Sequence, residues 1–469
     1  MTSKSLLKVE KLRKDIDEIF SGKNIGLLLN SISRTTDLSE DVIASYLKQR
    51  FGAQYFFPEK TFKGVSLFRL PLSIIRFFGF LSVCLYKSKK NESDDRLHVD
   101  LLIDNVQTER ELLRYSKISK YFKSENVACV SRVEIPKVNP VTNNLIKQET
   151  LRGYDRVTVL RYIIIRLIPD FLALLFCSIK LKVDIVNLYT YLLNDYFYYK
   201  TVFDKCIGKY IIHDRNLGNT NSVKNSLFKS AGGKVSACIQ KNIIKYDELA
   251  LYYDEDILFT MGKKTGEGVT RLGGRVDQKI AVGSFAMERV VRDVFLDKGR
   301  KTIDVLYIGI NAITSKRSDW TGYYESIKWL AKLSNAKKNY NIIIKHHPSW
   351  VPDKKEDDLI SGTSIKYADK NSDSYNMISD ANTILTYGST MGYELIGLGK
   401  NAYFLEPFDN NPFLNEFVYS GKHIIFNFNE LLKITSESVS DANVDSADFC
   451  VDNADVSLSI YENLTSTRV

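Results

Sequence analysis

A chain of 469 residues is longer than one hydrophobic core usually supports, so two domains are expected. A hydrophobic fraction of 44 % beside 26 % charged residues excludes a largely disordered chain, and the formal net charge of +9 suits an anionic ligand or an anionic membrane surface. No Arg/Lys-rich run interleaved with aromatic residues stands out, which argues against nucleic acid as a partner. The six cysteines are scattered with no C-x-x-C pair, a pattern of a reducing compartment and not of a zinc site. The first fourteen residues, M-T-S-K-S-L-L-K-V-E-K-L-R-K, are charged and helical in pattern and include no apolar signal region, so a cytoplasmic location is the expectation.

In chain order, Leu6, Leu7, Val9, Leu12, Ile16 and Ile19 recur near helical spacing over 4–20, with Gly22 as a stop. Residues 24–30 read as a strand and 38–51 as a helix capped around Ser39. Over 62–90 the chain is apolar and basic, and its longest uncharged run, 77–86, is about half of the roughly 20 residues a spanning helix needs. Two readings stay open for it: a helix buried against the first domain, or one lying at a membrane interface with Arg69, Arg76, Lys87, Lys89 and Lys90 reaching lipid phosphates. A regular alternation starts at Leu97, with strands at 99–104 and 127–130 around a helix at 108–122, as in a parallel sheet. Residues 136–144 read as a loop. Residues 157–182 are apolar nearly all round but interrupted by Arg161, Arg166 and Asp170; they read as a pair of core helices broken at Pro169 ahead of the alternative of a membrane-dipping hairpin, helical in either case. Strands are expected at 183–188, 210–213, 234–239 and 256–259, and D-E-D at 254–256 reads as a solvated acidic turn.

The second half carries the stretch with the most chemistry. The run N-I-I-I-K-H-H-P-S ends an apolar strand, 342–344, in a basic loop. The run T-I-L-T-Y-G-S-T-M-G-Y-E-L-I-G-L-G-K ends another, 383–386, in Gly388-Ser389-Thr390 just before a helical pattern. A small-residue turn opening a helix points free backbone N–H groups and the positive end of the helix dipole at an anion. Ser389 and Thr390 add hydroxyl donors, and Gly388 lets backbone approach a phosphate. His347, fixed by Pro348, is a donor toward the same phosphate; His346 and Lys345 are secondary candidates, and Glu394 would accept from ribose hydroxyls. Asn311, just past a strand at 304–310, and Glu406, at the end of a strand at 402–405, occupy further strand ends. Beyond Ser436 the chain is acidic and reads either as mobile or as a solvated helix packing back on the first domain.

K-H-H-P followed by Y-G-S-T-x-G-Y-E-L-I-G-L-G-K resembles the nucleotide-binding half of GT-B glycosyltransferases of bacterial surface-polysaccharide (capsule and lipopolysaccharide) assembly, and within them enzymes of the Kdo and nonulosonic-acid transferase type, which pair an HP motif with a Ser/Thr pair to hold a CMP-sugar. The Ser389-x-x-Gly392-x-Glu394 portion is also similar to UDP-N-acetylglucosamine 2-epimerases and to polyol-phosphate transferases of teichoic-acid synthesis. The resemblance implies an α/β fold of two Rossmann-like domains facing a central cleft, with a mainly helical N-terminal extension. The corresponding boundaries are 1–95 for the extension, 96–285 for an acceptor domain, 286–435 for a donor domain and 436–469 for the acidic tail.

The same resemblance implies transfer of a sugar from a nucleotide donor, CMP-Kdo or a related CMP-keto-acid sugar first, to a lipid-linked or growing surface glycan. Neither metal nor further cofactor is expected, because helix dipole and side chains can stabilise the leaving phosphate. The enzyme would be cytoplasmic, at most peripheral to the inner face of the plasma membrane. Transfer calls for a carboxylate or histidine in the first domain, and the candidates at strand ends there are Asp214, Asp104 and Glu109. The strand ending at Ile239 runs into Gln240-Lys241-Asn242, where many relatives have Gln-His-Gly. A UDP-sugar-dependent transferase or epimerase, a CDP-polyol phosphotransferase and a non-catalytic nucleotide-sugar-binding subunit remain as alternatives.

Overall fold

The computed structural model describes residues 4–55, 67–88, 96–106, 108–131, 145–147, 155–214, 221–246, 251–288, 301–310, 320–351, 353–414, 422–436 and 446–466. The loop expected at 136–144, Lys89, Lys90, Asn311 and residues 437–445 of the acidic tail lie outside them, as does the side chain of Glu109.

Four helices come first: α1 (Lys4–Phe20), α2 (Lys23–Thr36), α3 (Glu40–Tyr55) and α4 (Leu70–Lys87). The first sheet then forms from β1 (Leu97–Val106), β2 (Val127–Ser131), β3 (Leu145–Lys147), β4 (Cys206–His213), β5 (Val235–Ile239), β6 (Asp254–Thr260) and β7 (Arg275–Ala281). All its pairs are parallel and the order is 3-2-1-4-5-6-7. Its helices are α5 (Glu109–Ser119), α6 (Arg156–Tyr162), α7 (Ile168–Leu181), α8 (Ile185–Lys205), α9 (Asn221–Ser230) and α10 (Glu267–Arg271). The second sheet comprises β8 (Ile303–Ile308), β9 (Ile342–Lys345), β10 (Lys366–Tyr367), β11 (Ala381–Thr386), β12 (Ala402–Leu405) and β13 (Ile424–Ile425), again all parallel, in the order 10-9-8-11-12-13. Helices α11 (Thr321–Ala336), α12 (Lys354–Ile360), α13 (Ser374–Ser379), α14 (Thr390–Gly397) and α15 (Phe428–Ser436) surround it, and α16 (Ser446–Phe449) and α17 (Val456–Ser466) end the chain. Each strand order reverses once, at β1/β4 and at β8/β11, so the chain is an α/β protein of two Rossmann-like sheets.

Strands buried on both faces read as continuous apolar runs, and these do. On one face of the first sheet Leu101, Ile103, Ile212 and Phe259 pack with Tyr115 of α5 and with Val456, Ile460 and Leu464 of α17. The last helix therefore returns to the first domain, the second of the two readings of the tail. On the opposite face Leu102, Val130 and Ile211 meet Tyr199 and Phe203 of α8 and Phe228 of α9. Helices α1 to α4 share one apolar core with α7, α8 and the β6–α10 region, so the N-terminal helices are packed into the first domain.

Several sequence expectations are corrected. Residues 24–30 belong to helix α2, not a strand, because Ile25, Leu28, Leu29 and Ile32 are buried at helical spacing against their neighbours. Of residues 183–188, 185–188 form the first turn of helix α8 instead of a strand; Asp184 caps it by accepting from the backbone N–H of Asn187 at 3.2 Å. That segment is apolar on every side because α8 is sandwiched between layers, and burial on all sides erases periodicity. The run 157–182 is not broken at Pro169. It stays helical through a π segment, Ile163–Leu167, and Pro169 falls in the first turn of α7, where the register change accommodates it. Finally, Asp254 and Glu255 lie buried in β6, so D-E-D is a strand start and not a solvated turn.

Candidate functional site

At the C-terminal edge of the second sheet, β8 lies between β9 and β11, so the two sequence motifs flank its end from either side. Backbone and side chain lock that arrangement. The N–H of Gly309 donates to the carbonyl of Lys345 at 2.9 Å, and Thr386 Oγ1 donates to the carbonyl of Ile308 at 2.8 Å while accepting from the N–H of Ser389 at 3.1 Å.

From β9, His346 is buried and pairs through Nε2 with the Glu356 carboxylate of α12 at 2.7 Å. Its ring stacks on Trp350, with centroids 4.0 Å apart and planes 7° from parallel. Glu356, fully buried, also accepts from Tyr323 at 2.7 Å and Tyr367 at 3.2 Å. An acceptor carboxylate on Nε2 makes that nitrogen the donor. Nδ1 is then left buried, with no hydrogen-bond partner among the described residues. A Cβ on Gly309 would stand 2.2 Å from Nδ1, so only glycine at the end of β8 admits the ring. His347 is exposed, its Nδ1 bonded with Ser349 Oγ at 2.6 Å. Lys345 does not reach the crevice as an ammonium donor to a ligand: its Nζ donates to the carbonyls of Lys370 at 2.9 Å and His346 at 3.2 Å, and burial holds it below the ordinary lysine range.

From β11, Ser389 is the N-cap of α14 and its Oγ accepts from the N–H of Met391 at 3.3 Å; Thr390 is the first helical residue, and both are half-buried. Gly388 is packed under Phe413, whose ring would be 2.5 Å from an added Cβ. Glu394 does not face solvent from the helix. It is buried, accepts from Ser284 of the first domain, and burial raises its carboxyl to about 7. Glu406 is likewise buried, raised by burial to about 7, and accepts from the N–H groups of Phe408, Asn410 and Asn411, which makes it the tie of the loop after β12.

The first sheet's edge is finished differently. Asp214, at the end of β4, is buried in an ion pair with Arg114, with Lys241 at 3.6 Å; Lys241 also pairs with Glu111 at 3.2 Å. Asp104 does not line the edge at all. It lies under the sheet, accepting from Tyr199 at 3.1 Å and 3.9 Å from the buried Lys224. Lys224 in turn approaches Glu255, which pairs with His213 at 2.6 Å and accepts from Asn225 at 3.3 Å. For His213, burial and Lys224 push the ring's pKa down while Cys238 and Glu255 push it up, and it comes to rest at about 10. Glu109 opens α5 beside this cluster by its backbone.

The two edges are joined. The N–H of Tyr246, in the loop after β5, donates to the carbonyl of Pro412 in the loop after β12 at 3.0 Å; Ile243 packs into the second core, and Lys245 Nζ sits 4.6 Å over the Phe413 ring. Sequence reasoning missed Glu356, Trp350, Arg114 and Glu111. Glu356 sits in K-K-E-D-D, which reads as a solvated charge run, and only the helix phase of α12 turns it inward.

No family model matches the chain, and no curated protein matches it. Solved structures similar to it include a UDP-GlcNAc 2-epimerase from Neisseria meningitidis bound to UDP-GlcNAc, at 13% identity over 78% of this chain and 100% of that one, with a TM-score of 0.42. A wall teichoic acid polymerase, TagF, soaked with CDPG is similar at 11% identity over 85% of this chain and 95% of that one, TM-score 0.40. MurG of Acinetobacter baumannii is similar at 9% identity over 79% of this chain and 100% of that one, TM-score 0.38. The assignment of two Rossmann-like sheets rests on the strand orders above.

Proposed function

We propose that the chain is a glycosyltransferase of the GT-B type, binding a nucleotide sugar at the C-terminal edge of the second sheet and transferring the sugar to a lipid-linked or growing glycan held by the first domain. The observation that carries this reading is the flanking of β8 by the His-His-Pro loop and the capped N-terminus of α14 at a topological switch point, where open α/β sheets take their ligands. The unpartnered Nδ1 of His346 and the exposed His347 supply polar groups on one side; Ser389, Thr390 and the α14 amides supply them on the other. CMP-linked keto-acid sugars are the first donors to test, because the HP and Ser/Thr motifs together resemble their transferases. The only cofactor-like molecule invoked is the nucleotide-sugar co-substrate.

A second reading has one observation in its favour. Asp214 is held by two cations and Asp104 is enclosed under the sheet, so neither described carboxylate candidate is poised as a base, as expected of a subunit that binds the donor without transferring. Melting curves with CMP, CDP, UDP, GDP and ADP separate these cases, since a ligand of the folded state raises the midpoint. Selective stabilisation, lost in His347→Ala and followed by sugar transfer to a lipid-linked saccharide, is the expected outcome. Stabilisation without hydrolysis or transfer selects the binding subunit, and no response to any nucleotide overturns both.

A further inference from the structure

A second surface shares no residue with the edge at the ends of β9 and β11. Among the described residues, thirteen of the twenty exposed large apolar side chains lie on just two helical stretches, 67–87 and 156–181. On the first, Phe68, Leu72, Ile75, Phe78 and Tyr86 point outward; on the second, Ile164, Ile165, Leu172, Phe176 and Ile179 do. The stretches adjoin: Phe77 stacks on Phe171 at 4.8 Å, and the half-exposed Phe78 meets the same ring edge-on at 5.3 Å. A soluble monomer rarely leaves so large an apolar face uncovered.

We propose that this face is a membrane-docking platform, in which α4 and the α6–α7 run lie side by side in the plane of an anionic bilayer without crossing it. Charge selects the occupant. Arg76, Lys87, Arg156, Arg161, Arg166 and Lys180 are all exposed, whereas the only acidic residue within these helices, Asp170, is 1 % exposed. Cations flanking exposed apolar side chains match acyl chains beneath phosphate headgroups. A second copy seated on the same face by two-fold symmetry would bring these cations together with no exposed acid on the helices to meet them.

Both stretches are long and apolar enough to cross a membrane. Tertiary contacts hold them in the interface instead. Phe77 and Leu81 of α4, and Phe171 and Leu174 of α7, belong to the first domain's core. Asp170 accepts from Tyr189 at 2.7 Å and from Ser31, and Ser73 donates to Asp184. Spanning would strip these polar groups of partners inside hydrocarbon, where each costs several kcal/mol. An apolar hollow of about 510 Å³, open space included, lies among Cys84, Val159, Ile163, Leu167, Tyr196 and Phe197, and continues the same surface chemistry inward.

Co-sedimentation of the full chain with phosphatidylcholine vesicles, with and without phosphatidylglycerol, tests the platform. Binding that rises with phosphatidylglycerol and falls with salt is expected. Ile164→Glu with Ile165→Glu should weaken it by about tenfold or more, and Arg76→Glu with Arg161→Glu should remove the lipid preference. Because these positions are exposed, melting curves should stay unchanged. A Phe176→Trp reporter, quenched by lipids brominated on the acyl chain, reads insertion without disturbing the face. Absence of wild-type binding, a Phe176→Trp signal buried by self-association and insensitive to brominated lipid, or resistance to carbonate extraction would each overturn in-plane docking.

Discussion

At the end of β4 the Asp214 carboxylate is enclosed by Arg114 and Lys241, and beneath the same sheet Asp104, Lys224, Glu255 and His213 form one buried run of charged contacts, with Asp104 Oδ1 left without a hydrogen bond among the described residues. At the ends of β9 and β11, by contrast, a histidine nitrogen is buried without a partner among the described residues and a helix N-terminus is capped by a single hydroxyl. The two sheets have the same reversed strand order, yet the first ties its edge carboxylate into ion pairs, while the second ends in a buried histidine ring and a singly capped helix. On the function proposed above, topology supplies the place for a ligand, and local side-chain pairing decides which of two equivalent places is used.

The contrast can be broken most severely from the first side. Lys224→Met should destabilise the protein by about 3–5 kcal/mol, since it leaves Glu255 and Asp104 as buried carboxylates short of their cation. Chemical denaturation reads this directly, and a neutral effect would mean that the network is not internally balanced.

Glu394 sharpens the comparison through pH. Its folded pKa, about 7, lies above its ordinary 4.5, so the unfolded chain gives up its proton first as pH rises. Its contribution is fully present below about 4.5, is lost as pH climbs through about 7, and is flat beyond. At about 1.4 kcal/mol per unit of separation, Glu394→Gln should be more stable than the parent by up to about 3 kcal/mol above pH 7 and equal to it in acid. Melting curves across that range check the sign.

Gly309→Ala places a methyl against His346 and should cost about 1–3 kcal/mol by overpacking, while abolishing the nucleotide-induced rise in melting temperature. Retention of that rise would remove His346 from the site. The smallest effect expected is that of Ser389→Ala, about 1 kcal/mol from the lost cap, with nucleotide affinity weakened a further few-fold. An unchanged affinity would confine Ser389 to capping.

Legibility followed burial. Strands such as 342–345 and 381–386 were readable because apolar runs ended in turn chemistry, and the Ser389 cap was readable because Ser/Thr before a helical pattern has few other uses. Residues 24–30 and 183–188 were misread because an apolar segment of six or seven residues carries no period to separate strand from helix. The site was readable as motifs but not as partners. Lys345 looked like a ligand contact and is held by two carbonyls, Glu394 looked like an acceptor for ribose hydroxyls and is buried against Ser284, and His346 looked redundant beside His347 and proves to be the built-in one of the pair.

By itself the sequence determined the α/β alternation, the two-domain scale and the two strand-end motifs, because these depend on local periodicity, turn residues and length. Only the tertiary structure decided which charges neutralise one another, that α17 returns to the first domain, and that two apolar helices are anchored on one face and bare on the other. The physical reason is common to all three. Pairing and burial are set by residues tens to hundreds of positions apart, and their desolvation and Coulomb energies exist only once the chain has brought them together.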